Sequence, residues 1–167
     1  IVIDNVTLFE MLLPEAMRCD FAALKIPFLA IAADFYEMEQ VVLDHGPLIP
    51  ALAASCSLPS LSRPVLIGDR VLIDGGFVNP TPYDLVMADA DITVAIDVTG
   101  STQRKMVEGS GTALEIPGTM EAWVGATQIL FHSITREKLK TSPPDIFIRP
   151  DVGRFSTLDF WRIDEIF

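Results

Sequence analysis

The residues most suited to chemistry in this sequence are Asp74-Gly75-Gly76, which directly follow the mostly apolar run 70–73. That run predicts a strand, and a carboxylate at the end of a buried strand lies at the sheet edge where open α/β sheets bind ligands. The two glycines have no Cβ atoms, so the backbone can turn sharply and a substrate or a partner loop can approach closely. The residue types leave two interpretations open: Asp74 is a catalytic carboxylate, or it caps an ordinary turn.

Metal sites and histidine-based sites are the alternative chemistries. The two histidines lie far apart, and the two cysteines lack metal-ligand spacing, so no metal site is predicted. The composition permits a Ser-His-Asp or Cys-His arrangement built on His45 or His132, but no local motif supports it. Cys56 lies among small apolar residues and is predicted to be a packed thiol. A lone cysteine elsewhere, Cys19, forms no framework with it.

Composition narrows the class of protein. The 167 residues are 50% hydrophobic, which predicts a single domain with a real core. With 23 acidic against 12 basic residues, the net charge of -11 repels nucleic acid and disfavours anionic membranes. No run approaches the roughly 20 apolar residues that a membrane-spanning helix needs. We expect a cytoplasmic protein, with peripheral membrane contact left open.

The elements that position Asp74 are predicted from hydrophobic patterns. Strands are expected at 26–33 and 39–43, a turn at 44–47, a helix at 47–57 and a hairpin of 65–67 and 70–73 around Gly68-Asp69. Thr81-Pro82 predicts the start of a helix over 83–88.

The remaining chain predicts a buried strand at 91–98, a long loop or lid at 99–119 and a helix at 121–140. The apolar stripe of that helix comprises Trp123, Ala126, Leu130 and Ile134. An edge strand at 146–148 and a closing helix at 157–167 follow. This order favours the α/β class, with a mainly parallel central sheet flanked by helices.

Three segments together resemble the downstream half of bacterial patatin-like phospholipases: Ala53–Pro59, Pro64-Val65 and Ile73–Pro82. The resemblance implies that Asp74 pairs directly with a serine nucleophile, without histidine, metal or organic cofactor. It also implies hydrolysis of acyl esters in phospholipids or related lipids. Asn79 is expected to hold the Asp74 loop or to occupy a turn before proline.

One departure from the family concerns the nucleophile. The family's Gly-rich oxyanion loop and Gly-x-Ser-x-Gly motif do not occur in this sequence, and Ser110 between Gly109 and Gly111 does not fit that motif. Ser55 and Ser57 are expected to bond to their own helix end. The resemblance therefore implies the C-terminal portion of one patatin-like domain, incomplete at its N-terminal side. We expect this portion alone to be inactive and to associate with itself or with the missing half; the alternative is a non-catalytic lipid- or partner-binding module.

Overall fold

A computed structural model describes residues 2–99, 116–150 and 152 of the chain. They fall into two compact units, Ile1–Pro80 and Thr81–Phe167, and the described elements are mixed α/β. The predicted closing helix at 157–167 and residues 100–115 of the predicted loop at 99–119 lie outside the described residues. The assignment of 1–167 to a single domain stays a prediction.

The first unit contains the elements that carry Asp74. They are, in chain order, α1 (Asn5–Leu12), β1 (Ala30–Asp34), β2 (Gln40–Leu43), α2 (Leu48–Ser55), β3 (Val65–Ile67) and β4 (Arg70–Asp74). The predicted strands, helix and hairpin are thus confirmed, with β1 starting later than expected. Helix α1 was not predicted; the Asp4 carboxylate caps it by accepting hydrogen bonds from the N–H groups of Val6 and Thr7.

The four strands form a sheet in the order β2-β1-β4-β3, and every pair in it is antiparallel. The predicted mainly parallel sheet is therefore not confirmed. Short connections are the reason for the β1-β2 and β3-β4 pairs, because parallel neighbours need a crossover of a dozen or more residues. Between β1 and β4 the chain passes through β2, α2 and β3, so connection length does not decide the direction of that pair. Asp34 accepts hydrogen bonds from the N–H groups of Tyr36 and Glu37, and Met38 has a φ of 55°, which closes a tight turn into β2. Gly68, with a φ of 63°, closes the β3-β4 hairpin.

An apolar core fixes β4 in place. Every residue of β1 is buried, and Leu72 on β4 is 1% exposed. Helix α2 packs on this sheet through small side chains, Ala51, Ala53 and Ala54, which allow a close approach of helix to strand. The end of β4, where Asp74 lies, therefore rests on a closely packed layer.

The second unit contains β5 (Val94–Ile96), α3 (Thr119–Thr141) and β6 (Ile146–Ile148), and β5 and β6 pair in parallel. The predicted edge strand is confirmed as β6. The helix expected at 83–88 is instead two short 3-10 turns, Tyr83–Leu85 and Met87–Asp89. Strand β5 is shorter than predicted, and Ala95 is its one buried residue.

Helix α3 confirms the predicted helix but buries a different face. Of the predicted stripe, Ala126 and Leu130 are exposed and Trp123 and Ile134 are half-buried, whereas the fully buried residues are Thr127 and Thr135. The Thr135 hydroxyl hydrogen-bonds the hydroxyl of Thr81 at 3.2 Å, so this buried polar group has a partner. Hydrophobic periodicity cannot detect such a face, because its buried residues are polar.

Candidate active site

Asp74 is the last residue of β4 and is held from three sides. It lies opposite Ala32 on β1, and its backbone N–H donates to the carbonyl oxygen of Ser57 at 3.0 Å. Its Oδ1 accepts a hydrogen bond from the N–H of Gly76 at 2.8 Å. The prediction that a carboxylate emerges at the end of this strand is confirmed, and its orientation is fixed by backbone groups.

Gly75 is required by a close contact with the protein itself. A Cβ atom at this position would lie 2.1 Å from the carbonyl oxygen of Ile31 and 2.5 Å from its carbonyl carbon. Backbone atoms cannot move aside as a flexible side chain can, so only glycine fits. The sequence suggested that the glycines admit a substrate or partner loop; at Gly75 the approaching group is strand β1.

The surroundings of Asp74 change its acidity. Partial burial raises the pKa of the Asp74 carboxyl above its ordinary value of 3.8, and the hydrogen bond from Gly76 opposes this rise only in part. A raised pKa makes the carboxylate a better proton acceptor than a solvated aspartate. The geometry thus supplies a fixed carboxylate with increased basicity at a strand end.

Asn79 fastens the loop that follows Asp74. Asn79 is 5% exposed, its backbone N–H donates to the Gly75 carbonyl at 2.8 Å, and its Nδ2 donates to Gln40 Oε1 on β2 at 2.7 Å. Of the two roles expected for Asn79, these contacts match the loop-holding one.

Two residues at the end of α2 lie beside the Asp74 backbone. The Ser57 hydroxyl donates to the carbonyl oxygen of Ala53 at 2.7 Å within a fully buried residue, as expected for a serine satisfied by its own helix end. Cys56 is exposed, so the prediction of a packed residue is wrong; it follows the last turn of α2, outside the packed face. Although the residue as a whole is exposed, protein atoms around the thiol displace part of its water, and this loss and then the negative charge of Asp74 raise the pKa of Cys56.

Among the described residues, neither histidine lies in a catalytic arrangement. His45 Nδ1 lies 2.5 Å from Asp44 Oδ1, but its side chain is 90% exposed in a surface turn. The hydrogen bond to Asp44 and the negative charge of that carboxylate raise the pKa of His45. His132 lies on α3 in the other unit. Within residues 2–99 and 116–150, no three His, Cys, Asp or Glu residues are grouped as metal ligands would be.

A second carboxylate at a strand end was missed by the sequence reasoning. Asp97 directly follows β5, and Arg149 directly follows the parallel strand β6. Asp97 Oδ2 accepts two hydrogen bonds from Arg149, one from Nε at 3.0 Å and one from Nη2 at 2.7 Å. Thr99 donates to Asp97 Oδ1 through its backbone N–H at 3.0 Å. Burial alone would raise the pKa of Asp97, but the bonds from Thr99 and then the Arg149 guanidinium lower it overall. The signal for this pair was a charged residue after each of two apolar runs.

The match to a known protein family lies mainly in the first unit. Residues 13–87 match the family model of patatin-like phospholipase, which confirms the suspected resemblance. An uncharacterized NTE family protein of Mycobacterium bovis is 35% identical over 79 residues, covering 47% of this chain and 22% of that protein. A second such protein from M. bovis is 26% identical over 156 residues, covering 82% of this chain and 26% of that protein.

A fungal relative carries an activity in its name. The lysophospholipase NTE1 of Kluyveromyces lactis is 27% identical over 160 residues, covering 85% of this chain and 11% of that protein. The chain thus spans about a quarter or less of the length of these curated relatives. No helix among the described residues has the length and apolar character needed to cross a membrane.

Proposed function

From the premise that residues 13–87 belong to the patatin-like phospholipase family, we propose that Asp74 is the catalytic carboxylate of a lipid acyl hydrolase. The observation that carries the proposal is the fixed Asp74 carboxylate at the end of β4, with its pKa raised by burial. The substrate class is an acyl ester of a phospholipid or lysophospholipid, in keeping with the name of the K. lactis relative.

The proposed reaction uses Asp74 as a general base. Asp74 takes the proton of a serine hydroxyl as the serine oxygen attacks the ester carbonyl carbon, and then gives that proton to the leaving alcohol. Water next attacks the acyl-serine, loses a proton to Asp74, and releases the fatty acid as the serine is reprotonated. Direct contact of serine and aspartate supplies the proximity that makes histidine unnecessary.

The serine and the oxyanion donors are assigned to a segment outside residues 1–167. The sequence has no Gly-x-Ser-x-Gly motif, and the buried Ser57 hydroxyl is bonded to Ala53. Removing even one oxyanion donor typically costs about 100-fold or more in rate, so residues 1–167 alone should be inactive. The same missing motif favours the second candidate function, a binding module that keeps the scaffold without hydrolysis.

The test is Asp74→Asn in the full-length protein, with lysophospholipid hydrolysis and thermal unfolding measured together. The amide keeps the shape of the carboxylate and can still accept from Gly76 N–H, but it cannot take a proton. We expect hydrolysis to fall by roughly 100- to 10,000-fold. Asp69→Asn, in the exposed turn of the β3-β4 hairpin, is the matched control and should retain activity within a few-fold.

The stability expected of Asp74→Asn follows from the direction of the pKa shift. The pKa of Asp74 is higher in the folded state than in the unfolded state, so between these two pH values the folded state binds more protons. The free energy of unfolding therefore decreases as the pH rises through this range. At pH 7 the neutral amide should therefore unfold at a temperature no lower than that of the unsubstituted protein. Equal hydrolysis by the Asp74 and Asp69 variants would show that Asp74 is only a turn residue.

A further inference from the structure

A buried amide on the N-terminal helix α1 contacts the end of helix α2, beside the backbone of Asp74. Asn5, the first residue of α1, is 7% exposed. Its Nδ2 donates to the Cys56 carbonyl oxygen at 2.9 Å and lies 3.4 Å from the Ala53 carbonyl oxygen. These two carbonyls belong to the C-terminal end of α2, where a helix leaves carbonyl groups for other donors. The Ala53 carbonyl also accepts from the Ser57 hydroxyl at 2.7 Å, and the Cys56 carbonyl also accepts from the Leu58 N–H at 2.9 Å.

The turn that Asn5 contacts also holds the Asp74 backbone. Ser57 follows Cys56, its N–H donates to the Ala54 carbonyl at 3.1 Å, and its own carbonyl oxygen accepts from the Asp74 N–H at 3.0 Å. Two successive carbonyls of one turn therefore point to different partners: that of Cys56 to Asn5, and that of Ser57 to Asp74. The Cys56 carbonyl and the Ser57 N–H belong to one planar peptide unit, so the bonds to Asn5 and to Ala54 together hold that unit. The Ser57 carbonyl belongs to the next peptide unit, which is joined to the first at the Ser57 Cα atom, so a shift of the first unit displaces the second.

The chain on either side of Asn5 is anchored to the first unit as well. The N–H of Ile3 donates to the Leu61 carbonyl at 3.0 Å, and the N–H of Arg63 donates to the Ile3 carbonyl at 2.9 Å. Asp4 caps the start of α1. Asn5 is thus presented to the α2 end by a segment whose position is set independently of that contact.

We propose that Asn5 is a positioning residue for Asp74, acting through the Cys56-Ser57 turn. Its amide holds that turn in the orientation in which the Ser57 carbonyl accepts from Asp74. Asn5 lies outside the matched residues 13–87, so the family match does not assign it this role. The catalytic meaning of the role rests on the function proposed for Asp74, but the mechanical link does not.

The experiment measures hydrogen exchange of single backbone amides in the full-length protein carrying Asn5→Ala. The Asp74 amide should exchange about tenfold faster relative to the Leu72 amide of the same strand, because loss of the Asn5 bond loosens the Ser57 carbonyl. Asp4→Ala is the matched control: it weakens α1 through its cap but keeps the Asn5 amide, so the ratio of the two rates should not change.

An unchanged ratio in Asn5→Ala would overturn the proposal. If Asn5→Ala does not fold, the ratio is measured in Asn5→Ser, which leaves a short hydroxyl in place of the amide. If neither the Asn5→Ala protein nor the Asn5→Ser protein folds, the proposal is also overturned, because Asn5 would then be needed for folding and not only for the position of Asp74.

Hydrolysis separates this inference from the proposed function. In Asn5→Ala we expect kcat to fall at least tenfold with KM nearly unchanged, because Asp74 loses its alignment while lipid contacts stay. If Asp74→Asn is inactive but Asn5→Ala keeps full kcat, the positioning role fails and the function of Asp74 stands. If Asp74→Asn remains active while Asn5→Ala speeds exchange of the Asp74 amide, the link is real and the proposed function fails.

Discussion

Asp74 in the first unit and Asp97 in the second both lie at the end of a strand, Asp74 as the last residue of β4 and Asp97 directly after β5, yet their acidities change in opposite directions. The Asp74 carboxylate has partial burial and a bond from Gly76, and its pKa rises. The Asp97 carboxylate is less exposed to solvent but accepts hydrogen bonds from Thr99 and Arg149, and its pKa falls. Position at a strand end therefore does not make a carboxylate reactive; the donors around it decide.

The two units also differ in how their elements are packed. The core of the first unit is apolar and built on small residues of β1 and α2. In the described part of the second unit, side-chain hydrogen bonds join the segments. The Tyr83 hydroxyl donates to the Ser142 carbonyl oxygen at 2.8 Å, and the Thr93 N–H donates to Asp145 Oδ2 at 2.8 Å. Among the described residues, Asp74 therefore lies on an apolar, tightly packed layer without a cation, whereas Asp97 is paired with one.

Of the substitutions considered, Gly75→Ala in the first unit should cause the largest loss of stability. The added methyl group would meet the Ile31 carbonyl at 2.1 Å, so β1 and β4 must separate, and we expect a loss of about 3 kcal/mol or more in the free energy of unfolding. Chemical denaturation measures it. Gly125→Ala on α3 is the control: nothing described lies within 4 Å of its Cβ position, and it should stabilise by up to about 1 kcal/mol. Equal effects of the two substitutions would contradict the close contact.

Arg149→Met tests the paired carboxylate. It leaves Asp97 buried without its cation, and we expect a loss of about 2 to 3 kcal/mol at pH 7, below the full cost of breaking a buried pair because Arg149 is 39% exposed. In the unsubstituted protein the depressed pKa of Asp97 stabilises the fold above the unfolded value of 3.8, and this contribution is lost as pH falls through the folded pKa. Without Arg149 the pKa of Asp97 is lowered less, because only the Thr99 bonds then oppose the effect of burial, so this contribution to stability becomes smaller.

The difference in stability between Arg149→Met and the unsubstituted protein should therefore shrink as pH falls from 7 toward 3. Urea unfolding across this range measures it. Arg136→Met, on the exposed face of α3, is the control and should show no such trend. A destabilisation by Arg149→Met that is constant with pH would mean that Arg149 contributes packing rather than charge.

The smallest expected effect concerns Cys56 as a reporter of the Asp74 charge. Because that charge adds to the effect of lost hydration in raising the thiol pKa, Asp74→Asn should lower the pKa of Cys56 and speed its alkylation by iodoacetamide at pH 8. Peptide mapping with Cys19 as internal reference measures the ratio of the two rates. An unchanged ratio would place the Asp74 charge too far from the thiol to matter.

Local patterns in the sequence were enough to predict α2, the β3-β4 hairpin and the emergence of Asp74 at its exit. Helical spacing, a Gly-Asp turn between apolar runs and a strand end are all properties of neighbouring residues. They were confirmed because nothing distant needs to be known to form them. The family resemblance also depended on such contiguous motifs, and it led to Asp74 before any geometry was known.

Only the tertiary structure decided the direction of the strands, the exposure of Cys56, the buried face of α3 and the contact of Asn5 with a carbonyl 51 residues away. Each depends on which segments meet in space, and no short-range pattern encodes that. The opposite pKa shifts of Asp74 and Asp97 have the same origin. Both are aspartates after apolar runs in the sequence, and desolvation and donor placement, which arise from packing, set their acidities apart.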